Sequence, residues 1–117
     1  MTPLALGATV LFGAVGALLR LMVFRALPRA PWWAVGLVNV VGSAGVGMIA
    51  ALPLTFWSYP LMVGLAGGLT TFSALAVLMI PASPENAVPR VLWPLALHLG
   101  AGVAACALAF VLTQGTL

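Results

Sequence analysis

Four apolar stretches, each long enough to cross a lipid bilayer, take up nearly the whole of this 117-residue chain. A spanning helix needs about 20 predominantly apolar residues, and runs of that kind lie at Leu4–Leu27, Trp32–Leu54, Tyr59–Ile80 and Val91–Leu112. What remains between them is short. With 64% of its residues hydrophobic and 4% charged, the chain lacks the material for a water-soluble surface. It reads as an integral membrane protein, all-α, with four transmembrane helices in a single domain over residues 1–117. Transmembrane β-strands would alternate apolar and polar residues over about ten positions, and the sequence has no such alternation. No basic region precedes the first apolar run, so that run is expected to stay as a helix rather than to be removed as a signal peptide.

Proline and tryptophan mark the ends of the spans. RALPRAPWW, residues 25–33, supplies Pro28 and Pro31 to stop one helix and start the next, because proline lacks the donor a helix interior uses and fits best in a first turn. Trp32 and Trp33 then suit the membrane interface, as do Trp57 and Tyr59 of LTFWSYP at the opposite face. PASPENAVPR, residues 81–90, reads as an aqueous loop and holds the only acid, Glu85. Four spans put the 28–31 and 81–90 loops on one side, and the chain ends with the 55–58 loop on the other. Arg20, Arg25, Arg29 and Arg90 all belong to the first side. By the positive-inside rule, both termini are expected outside the cytoplasm, with the protein in the cell inner membrane. The net charge of +3 comes from scattered arginines that flank spans, which argues against a nucleic-acid partner.

The few polar residues inside the spans narrow the function. Asn39, Ser43 and Gly47 recur every four residues and share one helix face, with Gly42 and Gly45 close by. Such a face can pack closely against another helix or line a polar path, since a carboxamide at membrane depth needs a partner or water. Arg20 either snorkels to the interface or holds a fixed positive charge at a vestibule, where it would concentrate anions. His98, followed at four-residue steps by Gly102 and Cys106, can be a packing donor, a pore-lining donor or a pH sensor. A single cysteine excludes an internal disulfide and any multi-cysteine metal site, and Cys106 reads as a small packed residue. One histidine and one carboxylate leave no acid–base pair, metal cluster or activated nucleophile, so an enzyme is not expected. A proton-coupled small-molecule transporter is the alternative for a four-helix chain. It would want an acidic residue inside the membrane, and no span contains one.

The third span holds the most informative stretch, GLAGGLTTFSALAVL at 64–78. Gly67 and Gly68 weaken a helix, and the hydroxyls of Thr70, Thr71 and Ser73 can take up backbone groups that a break releases. Non-helical backbone at membrane depth is tolerated only where protein buries it or water lines it. Freed carbonyls can hold a cation, and half-helix N-termini favour an anion. GGLTTFS at 67–73, taken with GAVGALLR at 13–20 and VNVVGSAGVG at 38–47, resembles the Fluc, or CrcB, family of small bacterial fluoride channels over nearly the whole chain.

That resemblance implies an antiparallel dimer with two pores and a third helix broken at its centre. It also implies a structural sodium ion at the dimer interface and passive, selective fluoride conduction that protects the cell. Residue by residue, Gly67 and Thr70 match positions whose backbone carbonyls hold the sodium ion. Asn39, Phe72 and Thr71 match positions on the fluoride path and Arg20 one near the vestibule; Ser43 and His98, polar residues read above as candidate lining, are expected on the same path. The sequence departs from the family at Leu75, where a second phenylalanine is expected, at His98, where a tyrosine is expected, and at Gly102, where a serine is expected. Identical chains that pair head to tail must insert both ways, which asks for little basic bias, yet all four arginines here lie on one side. An inverted homologous subunit is therefore the expected partner, a heterodimer in preference to a homodimer, with one working pore and one vestigial. A non-conducting structural subunit is a further reading.

Overall fold

In the computed structural model, which describes residues 2–80 and 87–116, the first helix starts as its sequence dictates. Thr2 accepts a hydrogen bond from the Ala5 N–H at 3.2 Å, and Pro3 occupies the first turn, where no donor is missed. This helix, α1, runs Pro3–Ala26, and α2 runs Pro31–Ala51 behind Pro31. Helix α2 stops three residues short of the expected Leu54. Pro53 disfavours helical geometry at the residue before it, and Leu52 is extended at φ −88°, ψ 158°. A turn follows in which the Ser58 hydroxyl accepts from the Thr55 N–H at 2.8 Å. Phe56 and Trp57 meet edge to face there at 5.1 Å, and Trp57 reaches Phe12 of α1 at 6.2 Å.

The third span opens at Pro60 with a π-helical segment, Pro60–Ala66, whose wider turns are rare and concentrate at functional sites. It tightens into the single α-turn α3, Gly67–Leu69, and helix resumes as α4, Ser73–Leu78. The last helix, α5, covers Ala87–Gly115. Its membrane-spanning stretch starts at the expected Val91. The residues 87–90, assigned above to an aqueous loop, are helical. The rest of that loop, with Glu85, lies outside the described residues.

Among the described residues, four helical segments, Pro3–Ala26, Pro31–Ala51, Pro60–Leu78 and Val91–Gly115, are long and apolar enough to cross a membrane. The protein is a multi-pass membrane protein. Its long dimension of 50 Å matches a bilayer with its headgroup layers, about 40–45 Å. Packing falls into two pairs, α1 against the third span and α2 against α5, with α2 touching both. Helices α2 and α5 run in the same direction, since Gly36 faces His98, Ser43 faces Gly102 and Gly47 meets the Cys106 backbone. The buried core is small: Val35, Leu75 and Met79 cluster where α2 meets α4. Large apolar side chains such as Leu11, Leu18 and Val103 are exposed, which a protein solvated by lipid tolerates.

Candidate functional site

At Thr70 the backbone leaves helical geometry, with φ −72° and ψ 156°, between α3 and α4. In an unbroken helix the Thr71 N–H would donate to the Gly67 carbonyl and the Ala74 N–H to the Thr70 carbonyl. Each of these groups has a different partner here. The Thr71 N–H donates to Asn39 Oδ1 at 2.7 Å, and Asn39 Nδ2 donates back to the Thr71 carbonyl at 3.1 Å. This pairing fixes which end of the carboxamide is which, because an N–H needs an acceptor and a carbonyl needs a donor. The Thr70 carbonyl accepts from Arg20 Nη1 at 2.9 Å. The Ala74 N–H donates to Thr71 Oγ1 at 3.2 Å, so the Thr71 hydroxyl satisfies one free donor of the first turn of α4. Thr71 Oγ1 also lies 3.3 Å from Ser73 Oγ. For the Gly67 carbonyl there is the Thr70 hydroxyl at 3.4 Å. The interruption is thus closed by side chains from three parts of the chain, and among the described residues no buried side-chain polar atom lacks a partner.

Glycines bring those side chains within reach. A Cβ on Gly16 would strike the Leu65 carbonyl and sit 2.8 Å from the Leu69 nitrogen, while one on Gly68 would strike the Gly13 carbonyl. Backbone therefore meets backbone where α1 crosses the third span. Arg20, one turn beyond Gly16, then faces the interruption that follows Leu69. On the other side Gly42 of α2 leaves room for the Thr70 methyl group. Asn39, one turn earlier on the same helix, is level with Thr71.

Beside the interruption lies a groove of about 390 Å³ between α2, α4 and α5. Asn39, Ser43, Thr70, Thr71, Phe72 and His98 line it, with Leu75 and Gly102. Thr71 is buried and Phe72 is 64% exposed, its ring turned away from this chain's own core. Leu75 is buried beside Val35 and Met79, so the residue that replaces the expected phenylalanine belongs to the core. His98 Nδ1 lies 2.9 Å from the Pro94 carbonyl. A carbonyl only accepts, so in this bond Nδ1 is the donor. The ring also packs on Trp32 at 5.9 Å and forms part of the wall of a second cavity, about 610 Å³, lined by Trp32, Trp33 and Trp93.

Residues 7–110 match the family described as CrcB-like protein, Camphor Resistance (CrcB). The chain belongs to the CrcB family. CrcB relatives include three proteins named Fluoride-specific ion channel FluC. That of Dichelobacter nodosus is 34% identical over 91 residues, 74% of this chain and 73% of the relative. That of Methylobacterium radiotolerans is 33% identical over 112 residues, 86% and 75% of the two chains. The FluC 2 protein of Synechococcus sp. is 39% identical over 109 residues, 90% and 77%.

Within this CrcB chain, the structure brings Asn39, Ser43, Thr71, Phe72 and His98 to one groove. The Arg20 guanidinium is bonded to the third span at the Thr70 carbonyl. Gly67 is exposed and Thr70 half-buried at the interruption. Sequence reasoning missed the crossing of α1 over the third span. The pair Gly64 and Gly68, at the four-residue spacing that lets membrane helices touch, was the signal for it. It also missed the bond from His98 to Pro94, readable as a donor one helical turn after a carbonyl.

Proposed function

We propose that this chain is a subunit of a fluoride channel that lets fluoride leave the cytoplasm passively, and that it is not an enzyme. The observation that carries this reading is the groove, where a carboxamide, three hydroxyl side chains and an aromatic ring stand beside backbone that has left the helix. A small anion gives up a strongly held water shell to enter a membrane, and the lining must replace those hydrogen bonds. Asn39 Nδ2 has a second proton beyond the one given to Thr71, the hydroxyls of Ser43 and Thr71 can donate, and the ring edge of Phe72 is electropositive. The names of the relatives, channels specific for fluoride, support the same anion.

The second half of the pathway is assigned to an inverted homologous subunit. Phe72 and Gly67 are exposed on the single chain, and Leu75 occupies core volume where a second ring would be wanted. The arginine bias favours a partner of opposite bias over an identical copy, with one conducting pore, both chain ends outside the cytoplasm and the inner membrane as location. A structural sodium ion at that interface would be held by the Gly67 and Thr70 carbonyls. Oxygen donors suit a hard cation, and two from one chain need others from the partner. The Thr70 carbonyl has a second lone pair beyond the one facing Arg20. When bound, the ion would tie the two interruptions together.

Fluoride efflux from liposomes tests the reading, first with this chain alone and then with a homologous chain as partner. Efflux that chloride does not share, and that Asn39→Ala or Phe72→Ile suppresses, is the expected result. An antiparallel homodimer of this chain that conducts fluoride unaided would refute the heterodimer, and selective uptake of another solute driven by a pH gradient would refute the channel.

A further inference from the structure

Two of the bonds that close the interruption fall on one peptide group. The carbonyl of the Thr70–Thr71 peptide accepts from the Arg20 guanidinium at 2.9 Å, and its N–H donates to Asn39 Oδ1 at 2.7 Å. The Asn39 carboxamide then presents its Nδ2 to the Thr71 carbonyl and to the groove. A guanidinium, a peptide and a carboxamide therefore stand in series, each donating to the next. Hydrogen bonds in such a chain polarise one another, and a cation at the head withdraws electrons along it, which makes the last N–H a better donor. We propose that Arg20 is a positioning residue for the anion path, acting through the Thr70–Thr71 peptide to orient Asn39 and strengthen its Nδ2–H as a donor.

This role differs from that of a vestibule charge. A vestibule charge acts through water over several ångströms, is screened by salt and is indifferent to which cation supplies it. The relay needs the length and planar fork of arginine, because the donor must meet a carbonyl whose position the glycine crossing has fixed. Lysine keeps the charge, but its ammonium is carried on a shorter side chain with no fork. The relay also makes Arg20 and Asn39 one unit, although they lie on different helices. The proposal rests on the fluoride reading only for its flux measurement.

The test is a double-mutant cycle on fluoride efflux in liposomes, with Arg20→Lys, Asn39→Gln and both together, at low and high ionic strength. A bond to a charged donor is lost in Arg20→Lys, so efflux is expected to fall by about tenfold or more. That fall should be the same at both salt concentrations, and the double variant should be no worse than the poorer single one. Arg20→Lys efflux equal to wild type, or losses that multiply in the double variant, would overturn the relay. Should Asn39→Gln alone stop efflux, the Thr71 amide resonance of isotope-labelled protein decides. It is expected to move in Arg20→Lys while that of Gly115, at the far end of α5, stays in place, and an unmoved Thr71 resonance refutes the proposal. Wild-type protein that carries no fluoride with any partner would sink the channel reading but leave the resonance test standing.

Discussion

Replacing Gly16 by alanine should loosen the crossing that places Arg20. Ordinary contact for a Cβ begins at 3.4 Å, whereas this one would lie 2.8 Å from the Leu69 nitrogen and closer still to the Leu65 carbonyl. Both neighbours are backbone and cannot turn aside as a side chain would. Helix α1 must then retreat by about 0.6 Å or more to restore normal separation. Alanine in place of glycine gains about 1 kcal/mol of helix propensity, and forced overpacking costs about 3 kcal/mol at the upper end of its range. The net expectation is a loss of about 2 kcal/mol. The same retreat stretches the Arg20 to Thr70 bond from 2.9 Å toward lengths at which it no longer counts as one. Reversible unfolding in mixed micelles measures the stability, with Gly100→Ala as control, since nothing lies within 4 Å of a Cβ there. If Gly16→Ala proves as stable as Gly100→Ala, the close crossing of α1 over the third span is wrong.

Thr71→Ala removes the hydroxyl that accepts from the first turn of α4 and should cost about 1 kcal/mol, while Thr71→Ser, which keeps the accepting oxygen, should recover most of it in the same unfolding measurement. Leu75→Phe, which would restore the aromatic side chain expected from the family, should instead destabilise by about 1–3 kcal/mol through overpacking against Val35 and Met79. Higher efflux from Leu75→Phe at unchanged stability would show that position 75 is a free pore position.

The spans were legible because burial in lipid asks only for length and apolarity, and those are local properties of the chain. Their ends were legible where proline forbids helix and less so where it permits it. Pro89 read as a loop residue, yet it lies within the helix Ala87–Gly115. Asn39 was recognisable as a polar group that needs a partner, but the partner, Thr71, lies 32 residues away and only the packing of α2 on the third span identifies it. Arg20 was harder still. Its alternatives, snorkelling or a vestibule charge, both assume that the side chain seeks water, and the carbonyl it meets exists only because the helix stops at Leu69. The π-helical turns of Pro60–Ala66 have no sequence signal that we can point to.

The placement of Arg20 and the interruption at Thr70 explain each other. A charged side chain inside a membrane helix costs roughly 2.5–3.5 kcal/mol on insertion scales, and a buried carbonyl left without a donor costs about 1–3 kcal/mol. Either feature alone would be a liability in this chain, whose one acid, Glu85, falls outside the spans. Bonded together they satisfy each other: the guanidinium gains an acceptor without a carboxylate, and the carbonyl gains a donor without water. The positive charge is left uncancelled by this bond, since a carbonyl is only a dipole. An acid in the same place would have closed the interruption to the arginine equally well but neutralised the charge. A carbonyl partner instead keeps a net positive field next to Asn39 and Thr71, which is the sign an anion path requires.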